Sequence, residues 1–260
     1  HWTDDYDYSY GTHGTPTTFT LGDNIAQLEG GLYHLLAPSG LSAINLVNSC
    51  FLSQGDEVWV ADNIYGPNME HLRNLEKRYG ITVKVYNPIE LDTFQPTDKA
   101  KLIWLEAAGS VTLEFPDLAG LVKKAQAHNI LTALDNTWGA GLAFDAFDFS
   151  EEHLSVDMTV HALTKYPSGG GDILMGSVVT RDKDLHHKQF RAQAIQGISV
   201  SGDDVAQIQR SLASMQLRYQ HQSNSALTLM TWLKQQTEFV QVLHPSDPDS
   251  AGPVSYTHLR

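Results

Sequence analysis

Residues 160–179 read VHALTKYPSGGGDILMGSVV. An apolar run leads to Lys165, three consecutive glycines follow at 169–171, and a strand-like run then resumes. Glycine lets the backbone come close to a ligand, so a lysine at this point can place its amine in a cleft. Taken alone, the pattern is more typical of a solvated lysine in a turn. The rest of the sequence is needed to choose between a lysine in a ligand cleft and a solvated lysine.

The chain alternates between strand and helix patterns. Six short runs rich in apolar and β-branched residues predict buried strands. Three helix patterns lie between them, and two of these open with proline, which is favoured in the first helical turn. The predicted strands are 57–62, 82–87, 101–107, 130–136, 157–164 and 173–180, and the predicted helices are 40–53, 67–79 and 116–128. This alternation predicts an α/β fold with a mostly parallel sheet flanked by helices.

The pattern changes after about residue 203. Apolar residues then recur at helical spacing, which predicts one long helix or two stacked helices, and a strand with a loop is expected from Glu238 onward. We therefore expect three parts: an N-terminal arm over 1–22, a large cofactor-binding domain over 23–205, and a linker helix with the start of an incomplete C-terminal domain over 206–260.

Composition narrows the function classes. The chain has 260 residues, 42% of them hydrophobic, so a sizeable core is expected. The net charge of −13 disfavours nucleic acid and anionic membrane surfaces as partners. The single cysteine, Cys50, cannot form an intrachain disulfide, which favours a reducing, cytoplasmic location. No apolar run has the length of a membrane span, and no spacing typical of metal ligands occurs.

Three further residues or segments accompany Lys165. Asp135 ends an apolar strand, where open α/β sheets bind ligands, although it could equally cap the next helix. Ser39-Gly40-Leu41 opens a helix, which predicts either a phosphate site or an ordinary N-cap. Tyr65 follows a strand and could stack on a flat ring or be a simple loop aromatic. Together these groups meet the needs of pyridoxal phosphate: a lysine, a carboxylate for the ring nitrogen, a phosphate site and an aromatic neighbour.

Five segments resemble the Cys/Met-metabolism family of fold-type I pyridoxal-phosphate enzymes. They span 10–31, 36–45, 104–118, 134–150 and 161–179, within a resemblance that covers about 10–245. It implies an aspartate-aminotransferase-like fold and pyridoxal phosphate as cofactor. Within the family, LEAAGSVTLE (105–114) favours β-lyases, because γ-synthases and γ-lyases more often carry an Asn-Pro pair there.

The resemblance also implies a role for each residue around the cofactor ring. Lys165 would hold the cofactor through its amine and then transfer protons. Asp135 would keep the ring nitrogen protonated. Tyr65 would stack on the ring and take part in proton transfer, and Ser110 would contact the ring hydroxyl.

A second group of residues is implied for the phosphate. The backbone amides of Gly40 and Leu41 would bind it, with help from the Thr164 hydroxyl. Tyr10 would reach the phosphate of a neighbouring subunit, so a homo-oligomer, a dimer of dimers, is expected. Thr12 stands where the family usually has an arginine, so the grip on the neighbouring subunit's phosphate would be weaker or would be supplied by His13.

The implied reaction is the β-elimination of cystathionine, an amino-acid substrate, to homocysteine, pyruvate and ammonia, a trans-sulfuration step toward methionine. Cystathionine γ-synthase, O-acylhomoserine sulfhydrylase and methionine γ-lyase activities of the same family stay open, as does an inactive cofactor-binding fragment. A nucleotide-binding Rossmann protein is disfavoured, because no GxGxxG follows the first strand.

Overall fold

The computed structural model describes residues 11–150 and 152–250, and the structural statements below concern those residues. It begins with two elements that the sequence patterns do not predict, helix α1 (Pro16–Glu29) and strand β1 (Tyr33–Ala37). Thr15 caps α1 through a capping box, and Gly30 ends it in the left-handed region. The threonines, glycine and aspartate inside α1 are poor helix formers, so burial of Leu21 and Ile25 has to stabilise it.

Seven strands form one sheet in the order β1-β7-β6-β5-β4-β2-β3. After β1 they are β2 (Glu57–Ala61), β3 (Thr82–Tyr86), β4 (Ala100–Glu106), β5 (Leu131–Asp135), β6 (Met158–His161) and β7 (Gly176–Thr180). Every neighbouring pair from β3 to β6 is parallel, whereas β7 runs antiparallel to both β6 and β1. The predicted α/β fold with a mostly parallel sheet is therefore confirmed.

Helices cover both faces of the sheet. They are α2 (Gly40–Phe51), α3 (Gly66–Tyr79), α4 (Leu118–Ala127), α5 (Lys183–Gln196), α6 (Gly202–Leu212) and α7 (Met215–Leu233), with a 3-10 turn at Leu91–Thr93. The predicted helices α2, α3 and α4 all form, and side-chain caps set the starts of α2 and α4.

A buried polar link joins the sheet to two helices. The indole N–H of Trp104 on β4 donates to Asn48 on α2 over 2.8 Å. Asn48 in turn donates to Asn68 on α3 over 3.1 Å. All three side chains are almost completely buried. Because buried polar groups cost free energy unless they are paired, this link specifies how α2 and α3 sit on the sheet.

The C-terminal part differs from one expectation. The sequence predicts one long helix or two stacked helices here, and two helices, α6 and α7, form. The strand predicted from Glu238 is wrong, because residues 234–250 are turns and coil. Val240 is fully exposed, and no strand edge lies beside it to pair with. The domain limits at 22/23 and 205/206 fall inside α1 and α6 and stay a prediction. Across the described ranges, no helix is both long and apolar enough to span a bilayer.

Candidate active site

A cavity of about 230 Å³ opens at the carboxyl-terminal edge of the parallel strands. We call it the Lys165 cavity. Seven of the nine predicted site residues line it: Gly40, Leu41, Tyr65, Ser110, Asp135, Thr164 and Lys165. They come from five separate stretches of the chain, and this edge is where open α/β sheets bind ligands. Seven of the predicted residues therefore lie around one cavity, and their roles stay a prediction.

Lys165 lies in a turn four residues after the end of β6. Its N–H donates to the Ala162 carbonyl over 3.1 Å, and its carbonyl accepts from Gly169 N–H over 3.1 Å. Gly169 has a φ of 78° and Gly171 a φ of 75°, a region that favours glycine. The side chain lines the cavity and is exposed to solvent. The glycines thus shape the turn that presents the amine at the cavity.

Asp135 is the last residue of β5 and lies across the cavity from α2. Its Oδ1 accepts the backbone N–H of Thr137 over 3.0 Å. Burial raises the pKa of Asp135, while the Thr137 hydrogen bonds and the charges of His161 and Lys165 oppose that rise. A carboxylate with these partners suits a cationic N–H group on a bound ring.

The N-terminus of α2 forms another wall of the cavity. The Ser39 side chain caps it by accepting Ser42 N–H over 3.0 Å. Gly40 and Leu41 lie at the helix start, where N–H groups lack partners within the helix and attract anions. A Cβ on Gly40 would stand 2.7 Å from the Cβ of Ala162, so only glycine fits. The first turn of α2 therefore suits the phosphate of the predicted cofactor.

Tyr65 and Ser110 lie on two loops that are joined by Glu106. The carboxylate of Glu106 accepts Tyr65 N–H over 2.7 Å and contacts the Ser110 hydroxyl at 2.5 Å. Burial first and the charge of Asp135 second raise the pKa of Glu106 to about 8, against the pull of Ser110, Tyr65 and Lys165. This carboxyl therefore retains its proton at a pH where exposed glutamates are ionised.

The hydroxyl of Thr164 is already engaged. It accepts Met175 N–H over 3.1 Å and is within 3.3 Å of the Met175 carbonyl. Contact with a phosphate would need the hydroxyl hydrogen to turn away from that carbonyl. Tyr10 lies outside the described residues, and Thr12 lines a different cavity. Their role across subunits stays a prediction.

That second cavity also measures about 230 Å³, and we call it the histidine cavity. His13, His34 and His186 line it together with aromatic side chains. His34 Nε2 lies 3.2 Å from Asp23, and the ring of His186 stacks on Tyr33 with centroids 5.2 Å apart. Burial, and then the nearby His34 and His187, lower the pKa of His186 to about 4. The imidazole of His186 is therefore neutral at pH 7.

Two residues at the Lys165 cavity were not predicted as site residues. They are Glu106, which contacts both Tyr65 and Ser110, and Thr137, which supports Asp135. Both could have been found, since Glu106 ends β4 as Asp135 ends β5, and Thr137 follows Asp135 by two residues. Among the described residues, no group of three or more His, Cys, Asp or Glu side chains could hold a metal ion.

Known proteins resemble this chain over most of its length. A cystathionine β-lyase of Bordetella avium is 35% identical over 94% of the chain. An L-alanine/L-glutamate racemase of Wolbachia pipientis is 30% identical over 93%. The crystal structure of cystathionine γ-lyase from Lactobacillus plantarum, complexed with L-serine, superposes with a TM-score of 0.90 at 28% identity, over 98% of the chain. That likeness confirms the predicted fold of the pyridoxal-phosphate enzymes.

The chain spans about 60% of the length of these curated relatives and 66% of the γ-lyase chain. Residues 2–254 match the family described as Cys/Met metabolism PLP-dependent enzyme, which confirms the resemblance and makes pyridoxal phosphate the cofactor. With the sequence match and the fold in agreement, the chain belongs to the Cys/Met-metabolism family of pyridoxal-phosphate-dependent enzymes.

Proposed function

We propose that the protein is a carbon–sulfur β-lyase that cleaves cystathionine to homocysteine, pyruvate and ammonia. The observation that carries this proposal is the convergence of Lys165, Asp135 and the N-terminus of α2 on one cavity. Similarity to the Bordetella avium cystathionine β-lyase supports the choice of substrate. The proposal concerns the activity of the whole protein, of which this chain matches about 60% in its relatives.

Each group has a separate task. Pyridoxal phosphate, when bound, supplies an electron-withdrawing ring that stabilises negative charge at the α-carbon of an amino acid. The first turn of α2 would hold the phosphate, and Gly40 would let it approach closely. The carboxylate of Asp135 would accept a hydrogen bond from the ring nitrogen and keep it protonated. Tyr65, which lines the same cavity, would pack against the ring face.

Lys165 is the proton carrier of the proposed reaction. Its amine would hold the cofactor and, when free, would remove the α-proton of the substrate. The bond between the β-carbon and sulfur then breaks, and the sulfur leaves as the homocysteine thiol after gaining a proton. The remaining three-carbon unit reacts with one water to give pyruvate and ammonia. Atoms balance as cystathionine plus water giving the three products.

A γ-lyase is the second candidate, because the similar crystal structure is that of a γ-lyase. The two activities differ in which carbon–sulfur bond breaks. Cleavage on the β side of cystathionine gives pyruvate, whereas cleavage on the γ side gives 2-oxobutanoate and cysteine. The γ-synthase and sulfhydrylase alternatives would instead consume an acylated homoserine. The oxo-acid product therefore separates the proposed β-lyase from its nearest rivals.

The test is an absorbance titration with pyridoxal phosphate, followed by borohydride reduction. We expect a visible band that borohydride removes, and no such band in Lys165→Ala, since the amine is gone. Lys99→Ala, an exposed lysine away from the cavity, is the matched control and should behave like the unchanged protein. Pyruvate release from cystathionine would then support the β-lyase proposal.

Other outcomes decide against parts of the proposal. A cofactor band with 2-oxobutanoate as product would favour the γ-lyase, and a band without turnover would favour a cofactor-binding fragment. A band of equal strength in Lys165→Ala would remove Lys165 from its proposed role. No band in either protein would contradict cofactor binding by this chain.

A further inference from the structure

We infer that Glu106 is a proton-carrying positioning residue, whose neutral carboxyl makes the Ser110 hydroxyl a hydrogen-bond donor toward the Lys165 cavity and holds Tyr65 in place. The inference deepens the proposed function where it concerns the bound cofactor. Its core, a retained proton on Glu106, concerns the chain alone.

The register of the sheet places two carboxyls side by side. Glu106 on β4 pairs directly with Asp135 on β5, and directly paired residues on neighbouring strands project to the same face. Two carboxylates so close in a poorly solvated site are not both charged, because each disfavours ionisation of the other. Thr137 N–H supports the anion of Asp135, and the charge of Asp135 raises the pKa of Glu106. Glu106, 8% exposed, keeps the proton.

The hydrogen bonds around Glu106 fit a neutral acid. Oε2 accepts a hydrogen bond from Tyr65 N–H over 2.7 Å, as the carbonyl oxygen of a neutral acid does. Oε1 lies 2.5 Å from Ser110 Oγ and can donate its own hydrogen there. The Ser110 hydroxyl hydrogen is then free to point into the cavity, which Ser110 lines. Ionised Glu106 would draw that hydrogen back and leave only lone pairs facing a bound molecule.

The same contacts fix the walls of the cavity. Tyr65 is the N-cap residue of α3, but its side chain makes no capping hydrogen bond. The hydrogen bond from Tyr65 N–H to Glu106 fixes the helix start instead. The Ser110 loop is fastened to the Tyr65 loop, because Ser110 N–H donates to the Asn63 carbonyl over 3.0 Å. Next to Ser110, Val111 has a φ of 67°, which is strained for a β-branched residue. Glu106 thus holds a strained loop and a helix start at once.

Two other titratable groups shift the pKa of Glu106, and Glu106 in turn raises the pKa of a third, Tyr86. Asp135 opposes its ionisation, and Lys165 favours it. Tyr86 on β3 is buried, donates its hydroxyl to the Trp104 carbonyl over 2.9 Å, and has a raised pKa, so it stays neutral. The balance therefore rests on the burial of Glu106 and on the charge of Asp135.

Infrared spectroscopy of the cofactor-free chain tests the retained proton directly. We expect a carbonyl band of a protonated carboxylic acid at neutral pH, fading as the pH rises past about 8. Glu106→Gln should lack the band. Glu57→Gln should keep it, because Glu57 is an equally buried glutamate at the opposite edge of the same sheet. Absence of the band in the unchanged protein, or its persistence in Glu106→Gln, would overturn the inference.

A second measurement tests the positioning role with pyridoxal phosphate. Glutamine mimics the neutral acid, since its oxygen can accept from Tyr65 and its amide can donate to Ser110. We expect Glu106→Gln to bind the cofactor within about threefold of the unchanged protein and Glu106→Ala to bind about tenfold or more weakly. Equal loss in both variants would overturn the role of the proton. Failure of all proteins to bind the cofactor would contradict the proposed function and leave the infrared result standing.

Discussion

The Lys165 cavity and the histidine cavity have the same volume, about 230 Å³, but different chemistry. The first collects an amine, carboxyls and a helix N-terminus at the carboxyl-terminal edge of parallel strands. The second is lined by histidines and aromatic rings beside the edge strand β1. Size therefore does not identify the reactive site. The reactive site is instead identified by opposite charges that meet where the strands end, because that arrangement can hold and move a proton.

The largest expected contrast between the cavities comes from one aspartate in each. Asp135→Asn removes the charge that keeps the ring nitrogen protonated, so we expect turnover of cystathionine to fall roughly 100- to 1,000-fold. Asp23→Asn, at the histidine cavity, should leave turnover within about twofold, because its side chain is 74% exposed and its ion pair is with His34. Steady-state kinetics of pyruvate release measures both. Equal losses would erase the distinction between the cavities.

The second contrast concerns the helix start at the Lys165 cavity. Gly40→Ala places a methyl group against Ala162 and pushes α2 from its position. Overpacking of this kind costs roughly 1–3 kcal/mol, so we expect cofactor affinity to fall about 5- to 150-fold. Gly202 also begins a helix, α6, but a methyl group there meets nothing within 4 Å. Gly202→Ala is thus the matched control, and absorbance titration with pyridoxal phosphate compares the two.

The third contrast is pH dependence, which has opposite signs in the two cavities. The folded pKa of His186, about 4, lies below its ordinary value of 6.5. Its contribution to stability is present above pH 6.5 and is lost as the pH falls toward 4. The folded pKa of Glu106, about 8, lies above its ordinary 4.5, so its contribution is present below pH 4.5 and is lost as the pH rises through 8.

Urea unfolding at several pH values measures these two slopes. We expect His186→Phe, which keeps the stacking on Tyr33, to flatten the loss on the acid side only. Glu106→Gln should flatten the loss on the alkaline side only. A variant that changes both sides equally would show that the cavities titrate as one unit.

The smallest effect is expected outside both cavities. Burial raises the pKa of the Cys50 thiol to about 11, with Lys188 opposing. The thiol is therefore a poor nucleophile at neutral pH. Cys50→Ser should leave cofactor binding and turnover within about twofold, and Cys50 should react slowly with a thiol reagent in the folded protein. A large loss of turnover in this variant would mean that the reactive region extends beyond the Lys165 cavity.

Much of the fold is predictable because strand patterns and helix starts are local. The runs that become β2 to β7 are apolar over several residues, and Pro67 and Pro116 mark helix starts. Helix α1 carries the start marks Thr15 and Pro16, but poor helix formers interrupt it, and strand β1 is short, so both depend on tertiary burial. The antiparallel direction of β7 and the absence of a strand at Glu238 depend on which edges are available, a property of the whole sheet.

The site residues likewise divide into those that the sequence reveals and those that it does not. Lys165, Asp135 and Gly40 carry signals of residue type and position, and the structure brings them together. Glu106 carries one such signal, its place at the end of β4, but its raised pKa arises from burial and from the charge of its register partner Asp135, which the sequence does not show. The hydrogen bonding of the Thr164 hydroxyl to the Met175 backbone could not be predicted either, since Met175 lies eleven residues away across a turn.

The hydrogen bonds from Trp104 through Asn48 to Asn68 decide whether α2 becomes ordered during folding or during ligand binding. This link fastens α2 to the sheet from within the core. The conformational entropy of placing the helix start is therefore lost during folding rather than during binding. A phosphate that arrives at α2 meets a rigid receptor, and most of its binding free energy remains available for affinity.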